Sequence, residues 1–273
     1  MTIAAGFMCH DGVVLCADTQ ETRHGLLKVK VAKLALRPEI DVPSISCKMV
    51  ISGAGDGSFI DKLVDRMWTA AINNRPEMPV IQEAIEDTIK QAHEEYGRIF
   101  QPGYLPEAHL LYALWVRGWS VRLYSSVGPV VNQVESHECV GIGDVLARYL
   151  TDQMFISTMK TAQAELLSIY MLYRTKEYIE SCGGDSHIVA LHNNGTVHIV
   201  DRMNLALLEP DLRRISSNFG SILLRAPSPE CSDEEFEETL RMFGTLLRTL
   251  RQEQQRFRDG LRQSDSQTSE REQ

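Results

Sequence analysis

The sequence predicts an α+β fold in which two antiparallel sheets pack face to face, with a pair of helices on each outer side and an added helix at the C-terminus. Two observations lead to this four-layer αββα sandwich. The elements follow the order strands, two helices, strands, two helices, strands, and such runs argue against alternating βαβ units. The 273 residues are 43% hydrophobic, so the chain is long and apolar enough to bury the cores that this sandwich needs.

The chain opens with a predicted β-hairpin. Larger apolar side chains alternate with smaller residues over 3–9 (IAAGFMC), and residues 10–12 (HDG) supply a turn. An apolar run over 13–17 then leads to Asp18. This pattern is typical of two short antiparallel strands joined by a tight connection. Because most N-termini fray, a terminus that enters a sheet at once is expected to have a role of its own.

Hydrophobic periodicity and turn residues predict the elements that follow. Further strands are predicted at 33–37, 47–51, 109–116, 120–127, 139–141, 186–191 and 197–201. Helices are predicted from about residue 59 to 70 and over 80–100, 144–155 and 159–179. The glycine-rich residues 52–57 (SGAGDG) are interpreted as a turn into the first helix, and the residues between Thr22 and Ala32 as a loop.

The C-terminal part of the chain differs in character from the rest. The predicted segments are a sandwich domain over 1–228, an amphipathic helix over 229–259 and a disordered polar tail over 260–273. Ser232 and Glu235 form a capping box at the start of this helix, and apolar side chains then recur with a seven-residue rhythm. Two interpretations stay open: the helix lies on its own domain, or it packs on a neighbouring subunit.

The composition argues against several classes of function. The net charge of −9 disfavours nucleic-acid binding, which needs a basic surface. The sequence has no run of about 18 apolar residues, as a membrane span requires, and no basic segment followed by an apolar run, as a secretory signal requires. The six cysteines are scattered without a C-x-x-C pair, so reduced thiols in the cytoplasm are expected, with neither a metal nor a cofactor.

Thr2 is the first candidate for catalytic chemistry. Cells usually remove Met1 when the second residue is small, and removal leaves a free α-amine on a residue that bears a hydroxyl. A threonine hydroxyl is a weak nucleophile, and the residue's own amine, with a pKa of about 8, can act as its base. We therefore expect Thr2 to be the nucleophile of a hydrolase whose mechanism requires a fixed N-terminus.

The surroundings of Thr2 in the sequence resemble those in the proteasome-type N-terminal-nucleophile (Ntn) hydrolases, the proteasome β-subunit-like family with its bacterial relatives. Asp18 lies sixteen positions after Thr2, as in that family, and residues 18–22 (DTQET) are similar to its D-S-R-A-T segment. Lys33 precedes an aliphatic residue at a strand start, one position earlier than the family spacing. The resemblance covers roughly residues 2–205 and implies the Ntn-hydrolase fold.

The resemblance also implies a role for each matching residue. Thr2 would be the nucleophile, Asp18 would orient Lys33, and the charged Lys33 would lower the proton affinity of the threonine hydroxyl and amine. The amide of Gly53 would stabilise the oxyanion, since a glycine lets a substrate oxygen approach closely. Thr22 would align substrate through its backbone.

A supporting shell around these residues departs from the family pattern. It is expected to comprise Gly141, Ile142, Gly143, Glu180 and Cys182. Ile142 replaces the serine of the family's G-S-G, which bonds the threonine amine, and Cys182 replaces the serine of its S-G-G. The aspartate usually found three residues before that serine is Ile179 here, with Glu180 adjacent. A changed shell weakens preorganisation even where the Thr/Asp/Lys core is intact.

Three functions are compatible with these residues. The first is an N-terminal threonine hydrolase that cleaves peptide bonds through an acyl-enzyme in a homo-oligomeric ring or related assembly, with a regulatory ATPase as a candidate partner. Glu21 is then expected to line the pocket and to favour basic side chains before the scissile bond. The second is a non-catalytic structural or gating subunit, which Ile142 and Cys182 favour. The third keeps the nucleophile but acts on small amides.

Overall fold

The computed structural model describes residues 2–23, 27–40, 45–99 and 106–271 of the chain. The chain divides into two compact units, Met1–Val200 and Asp201–Gln273. This boundary differs from the predicted one at residue 228, because a helix begins at Arg202 directly after the last strand and packs against the C-terminal helix.

The N-terminal unit contains two five-stranded antiparallel sheets, whose strands are numbered here in chain order. In spatial order the first sheet consists of β10 (His137–Gly141), β1 (Ile3–Cys9), β2 (Gly12–Asp18), β11 (Ser186–His192) and β12 (Val197–Ile199). The second consists of β5 (Leu34–Arg37), β6 (Cys47–Gly55), β7 (Ala108–Val116), β8 (Arg122–Val127) and β9 (Val130–Val134).

Two helix pairs cover the outer faces of these sheets. Helices α1 (Gly57–Asn73) and α2 (Met78–Ile99) pack on the second sheet, while α3 (Asp144–Met154) and α4 (Thr161–Tyr178) pack on the first. Helix α1 begins where the Asp56 carboxylate accepts a hydrogen bond from the amide of Phe59 at 3.0 Å, which is an ordinary N-cap. The predicted α+β architecture with its αββα layer order is therefore confirmed.

The burial of β2 explains its sequence. Every residue of this strand is buried, because α4 covers one face and the second sheet covers the other. Leu15, for example, belongs to a core that also contains Val50 from β6 and Leu111 from β7. A strand buried on both faces gains from apolar residues at every position, so GVVLCAD reads as a continuous run rather than as an alternation.

The predicted N-terminal hairpin is confirmed, and its register positions the polar residues at its open end. Strands β1 and β2 pair from Cys9 with Gly12 to Ala4 with Ala17. At the same end Ile3 pairs with Gly141 of β10, and Asp18 pairs with Ser186 of β11. Thr2, just before β1, and Asp18, the last residue of β2, therefore lie at the same end of these two strands.

Three regions of the N-terminal unit differ from the prediction. Strands β3 (Gln20–Arg23) and β4 (Leu27–Lys30) form a two-stranded sheet where a loop was expected. Strand β6 continues through the residues interpreted as a glycine-rich turn, because Ser52–Gly55 keep pairing with β7. Strand β9 was not predicted, since its residues are mostly exposed and lack a clear alternation.

The C-terminal unit is helical. Helix α5 (Arg202–Gly220) was not predicted; a π-helical turn (Ser221–Arg225) follows it and precedes helix α6 (Asp233–Arg271). The capping box is present, with Ser232 and Glu235 exchanging hydrogen bonds of 3.0 and 3.3 Å. Helix α6 continues beyond residue 259, so it includes most of the segment predicted to be a disordered tail.

Candidate active site

Thr2 lies directly before β1, at the end of this strand, and is 6% exposed. The next residue, Ile3, starts β1 and pairs with Gly141 at the end of β10. Gly141 has a φ of +103°, and a Cβ there would lie 2.1 Å from the carbonyl oxygen of Thr2. A side chain at Gly141 would therefore displace Thr2, which gives this predicted shell residue a steric role.

Asp18 is the centre of a buried polar cluster and is 0% exposed. Its Oδ1 accepts hydrogen bonds from the amide of Ile3 at 3.2 Å and from Lys33 Nζ at 2.6 Å. Its Oδ2 accepts a hydrogen bond from the amide of Gly183 at 2.9 Å. A carboxylate that receives a charged donor and two backbone donors is held in one orientation.

Lys33 is held at this cluster by its side chain and its backbone. Its Nζ donates to Asp18 and also to the carbonyl oxygen of Gln20, while its own carbonyl oxygen accepts from Ser52 Oγ at 2.9 Å. Burial lowers the pKa of Lys33 below its ordinary value, and the adjacent Asp18 carboxylate opposes that shift. The result is a cationic group that Asp18 keeps oriented and that holds its proton less firmly than a solvated lysine does.

The early position of Lys33 in the sequence does not turn its side chain away from Asp18. Strand β5 starts one residue later, where Leu34 pairs with Ser52. Lys33 precedes the first paired residue of β5. The strict alternation of side chains between the two faces of a strand therefore does not fix the direction of its side chain. The structure thus brings Asp18 and Lys33 together, as expected from the resemblance.

A cleft of about 600 Å³ opens beside this cluster. Four of the predicted residues line it together: Thr2, Glu21, Lys33 and Gly53. Gly53 lies within strand β6 rather than in a turn, and a Cβ there would approach the Leu110 side chain to 2.8 Å, so a larger residue would require that side chain to shift. Thr22 pairs with Lys28 in the β3–β4 hairpin; its side chain lies outside the described part of the chain.

The predicted supporting residues fall into two groups. Gly143 and Cys182 are in close contact, because a Cβ on Gly143 would lie 3.0 Å from the Cys182 sulfur. Burial raises the pKa of the Cys182 thiol to about 12, so this cysteine is a packed, neutral neighbour of the cluster. Ile142, by contrast, is 50% exposed, and the Glu180 carboxylate is 94% exposed and 4.0 Å from Lys28 Nζ. These two side chains do not join the cluster around Asp18.

Sequence reasoning did not identify several residues that build the cluster. The backbone of Gly183 makes two of these contacts. Its amide donates to the Asp18 carboxylate, and its carbonyl oxygen accepts from the amide of Gln20 at 3.0 Å. Thr19 Oγ1 accepts from the amide of Asp185 at 2.7 Å, which ties the end of β2 to the start of β11. The Cys-Gly-Gly segment was a signal for Gly183, because its glycines admit close backbone approach. No local pattern marks the backbone of Gln20.

Comparison with solved structures identifies the fold. The chain is similar to Anbu (ancestral beta-subunit) from Yersinia bercovieri, with a TM-score of 0.66 and 13% identity over 84% of this chain and 99% of the other. It is also similar to an Anbu (Gly-1) mutant from Hyphomicrobium sp. strain MC1, with a TM-score of 0.64 and 16% identity over 80% and 97%. A helical assembly of the Anbu complex from Pseudomonas aeruginosa gives a TM-score of 0.64 and 14% identity over 83% and 98%.

These similarities establish that the chain has the Ntn-hydrolase fold of Anbu, at identities that support a likeness of fold alone. No protein-family model matches the sequence, and no curated protein matches it. Over the ranges that the structure describes, none of the helices is both long and apolar enough to cross a bilayer. The same ranges contain no group of three His, Cys, Asp or Glu side chains arranged to hold a metal ion.

Proposed function

We propose that this protein is an N-terminal threonine hydrolase that cleaves peptide bonds through an acyl-enzyme on Thr2, after removal of Met1. The observation that carries the proposal is the buried Lys33–Asp18 pair, with Nζ and Oδ1 2.6 Å apart, at a cleft that Thr2 also lines. Buried charge pairs in clefts are characteristic of functional sites. The Ntn-hydrolase fold supports the same reaction class by analogy.

In the proposed reaction, Thr2 Oγ attacks the carbonyl carbon while its proton passes to the threonine's own α-amine. The C–N bond of the peptide then breaks, and the resulting ammonium returns the proton to the leaving amine. Water attacks the acyl-enzyme ester, with the same amine as base, and this step releases the acid and restores Thr2. The reaction uses no oxidant and no group beyond the substrate and water.

Lys33 and Asp18 serve this reaction by electrostatics. The positive charge of Lys33 lowers the proton affinity of the Thr2 hydroxyl and favours the neutral α-amine, which is the basic form. Asp18 holds Lys33 in place through the contact between Nζ and Oδ1. Because both groups are preorganised and shielded from water, their effect on developing charge is larger than that of solvated groups.

A non-catalytic subunit of the same fold is the second candidate, and one observation favours it. Ile142 stands where the resembling family has an amine-binding serine, and its exposed side chain offers the Thr2 amine no hydrogen bond. The intact Asp18–Lys33 pair argues the other way, because a structural subunit has no need of a buried charge pair beside Thr2. We therefore place the catalytic function first.

We further propose that the protein works in the cytoplasm as a homo-oligomer, with a regulatory ATPase as a candidate partner. Phe236, Leu240 and Leu247 recur along α6 and are 38%, 43% and 45% exposed, a liability that a neighbouring copy would relieve. One structural neighbour is itself described as a helical assembly. Sedimentation velocity is expected to give a mass above that of one 30.8-kDa chain, and a monomer at all concentrations would contradict this part.

The reaction is tested by intact mass spectrometry before and after incubation with a peptide epoxyketone, which captures the hydroxyl and the α-amine of an N-terminal threonine together. We expect a starting mass short by one methionine and a single adduct that maps to Thr2. The Thr2→Ala chain should form no adduct. A retained Met1 would contradict the proposal as stated. Removal of Met1 without an adduct in the assembled protein would favour the non-catalytic subunit instead.

A further inference from the structure

Helix α6 carries two rows of side chains along its length. The less exposed row includes positions 239, 243, 246, 250 and 253, and α6 packs against α5 and the π-helical turn. A second row, called here the outer row, runs beside it at spacings of three and four residues, which places its members on one face of the helix. The outer row consists of Phe236, Leu240, Gly244, Leu247 and Arg251.

The centre of the outer row is apolar and contains a glycine. Leu240 and Leu247 stand on either side of Gly244 and are 43% and 45% exposed. A Cβ added to Gly244 would meet only the end of its own helix's Arg248 side chain, at 3.6 Å. The described part of the chain therefore gives no steric reason for a glycine here, and a helix interior disfavours one. A small residue between two leucines does allow a second helix to approach closely.

The two ends of the outer row have opposite charge. Asp233 and Glu237 lie at its start, while Arg248 and Arg251 lie at its end. All four side chains are exposed, and within the described part of the chain none of them forms an ion pair. The helix dipole favours acidic residues in the first turn, but it does not account for the arginines, because its effect is confined to the last turn and α6 continues well beyond them.

We propose that the outer row of α6 binds the outer row of a second copy of this chain, with the two helices antiparallel. A two-fold axis midway between Leu240 and Gly244 places Leu240 of each copy against Gly244 of the other. The same axis places Asp233 of each copy opposite Arg251 of the other, because both lie nine positions from the midpoint.

This arrangement makes one surface complementary to itself, as a two-fold contact requires. Both acidic ends meet basic ends, and the exposed leucines leave water together. A parallel pair would instead place acid beside acid and arginine beside arginine, which is unfavourable. The inference rests on the homo-oligomer proposed above, and it names the contact that forms it.

The main test changes the charge at one end of the outer row at a time. Asp233→Lys combined with Glu237→Lys makes both ends basic, and Arg248→Glu combined with Arg251→Glu makes both ends acidic. In sedimentation velocity over a concentration series, each variant alone should associate with a dissociation constant about tenfold or more above that of the unaltered chain, since like charges then face each other. An equimolar mixture should recover the association, because basic ends then meet acidic ends.

Gly244→Leu tests the close approach at the centre of the row. Leucine favours a helix over glycine, so circular dichroism should show a helix that melts at the same or a higher temperature. Association should nevertheless weaken about tenfold, because the added side chain occupies the space of the opposite Leu240. Thr245→Leu is the matched control: this exposed position lies outside the outer row, and association should be unchanged.

The outcomes separate this contact from the homo-oligomer and from the reaction. Association that neither charge variant nor Gly244→Leu weakens would overturn the contact and leave a homo-oligomer with another interface. Weakening in both charge variants without recovery in the mixture would also overturn it, because damage to α6 would then be the cause. A monomer at every concentration would overturn the contact and the homo-oligomer together. Epoxyketone labelling of Thr2 is measured separately and decides the hydrolase proposal.

Discussion

Strand β5 has a basic residue at each end, and the two residues pair with carboxylates in opposite surroundings. Lys33 precedes the strand and meets Asp18, with exposed side-chain fractions of 8% and 0%. Arg37 ends the strand and meets Asp65 and Glu39 at 3.1 and 3.0 Å, with acidic side chains that are 76% and 77% exposed. Four positions in the sequence thus separate a buried charge pair from a solvated one.

The difference between the two ends indicates what each pair is for. A solvated pair costs little to form and contributes little to stability. A buried pair loses hydration on both charges, and apolar residues of similar size are often as stable or more stable in its place. Stability alone therefore explains the Arg37 pair but not the Lys33 pair, which fits a site that needs an oriented cation beside Thr2.

The largest effect on stability is expected for Asp18→Asn. This change removes the carboxylate 2.6 Å from the buried Lys33 ammonium, and breaking such a buried pair typically lowers the free energy of unfolding by about 3–5 kcal/mol. The pKa of Lys33, already lowered by burial, should fall further. A lysine that loses its proton is neutral, which reduces the loss in the free energy of unfolding. Urea unfolding of the variant and the unaltered chain measures the difference. A change below about 1 kcal/mol would mean that the pair is effectively solvated.

Lys33→Met should destabilise the chain less than Asp18→Asn does. After this change Asp18 still accepts hydrogen bonds from the amides of Ile3 and Gly183. The carboxylate therefore keeps two of its three donors. We expect the free energy of unfolding to fall by about 1–3 kcal/mol. Both variants are compared by urea unfolding in one buffer. A larger loss for Lys33→Met would show that Asp18 depends on the lysine more than on the backbone.

The pH dependence of epoxyketone labelling should reflect the ionisation of the Thr2 amine and of Lys33, the buried residue before β5. The rate is expected to rise with pH as the α-amine of Thr2 loses its proton, at a pH below the ordinary value of about 8 because the charge of Lys33 disfavours the ammonium. It should fall again when Lys33 deprotonates, at a pH below the ordinary lysine value of 10.5, because burial lowers this pKa. The Cys182 thiol, with its pKa of about 12, does not titrate in that range.

Lys33→Arg provides the control for this profile, since a guanidinium keeps its charge at every pH of the experiment. In a variant that retains labelling, the alkaline fall should disappear while the rise near neutral pH remains. A fall at the same pH in both chains would assign it to another group or to unfolding, and circular dichroism over the pH series distinguishes these two causes.

The smallest effect is expected at the solvated end of β5. Arg37→Ala removes contacts to two exposed carboxylates and should change the free energy of unfolding by no more than about 1 kcal/mol. The labelling rate should be that of the unaltered chain. A stability loss equal to that of Lys33→Met would contradict the contrast between the two ends.

The sequence predicted elements whose signal is local and apolar. The N-terminal hairpin combines alternation with a tight turn, and α1 and α2 carry helical periodicity, so each could be read without tertiary information. Strands β3 and β4 were not predicted because their residues are largely polar (QETR and LKVK), and the residues of β4 are mostly exposed. The glycines of β6 resemble a turn until pairing with β7 is known, because glycine is compatible with both.

The residues of the candidate site also divide into those that the sequence could identify and those that it could not. Asp18 could be identified by its spacing from Thr2, and Lys33 by its place before an aliphatic residue at a strand start, both of which resemble a known family. The amide of Gly183, which also holds Asp18, comes from 165 residues further along the chain, and a backbone donor leaves no side-chain signal. Glu180 was expected by adjacency to a family position, yet its carboxylate is exposed. Contacts made by backbone atoms, or decided by which way a side chain turns, require the tertiary structure.

One comparison of rates shows whether the Asp18–Lys33 pair serves Thr2. Epoxyketone labelling is measured for the unaltered chain, Lys33→Met and Arg37→Ala at a temperature where circular dichroism shows all three folded. We expect a fall of about a hundredfold or more for Lys33→Met, since the variant loses a group that assists proton transfer, and an unchanged rate for Arg37→Ala. Equal rates in all three chains would contradict it.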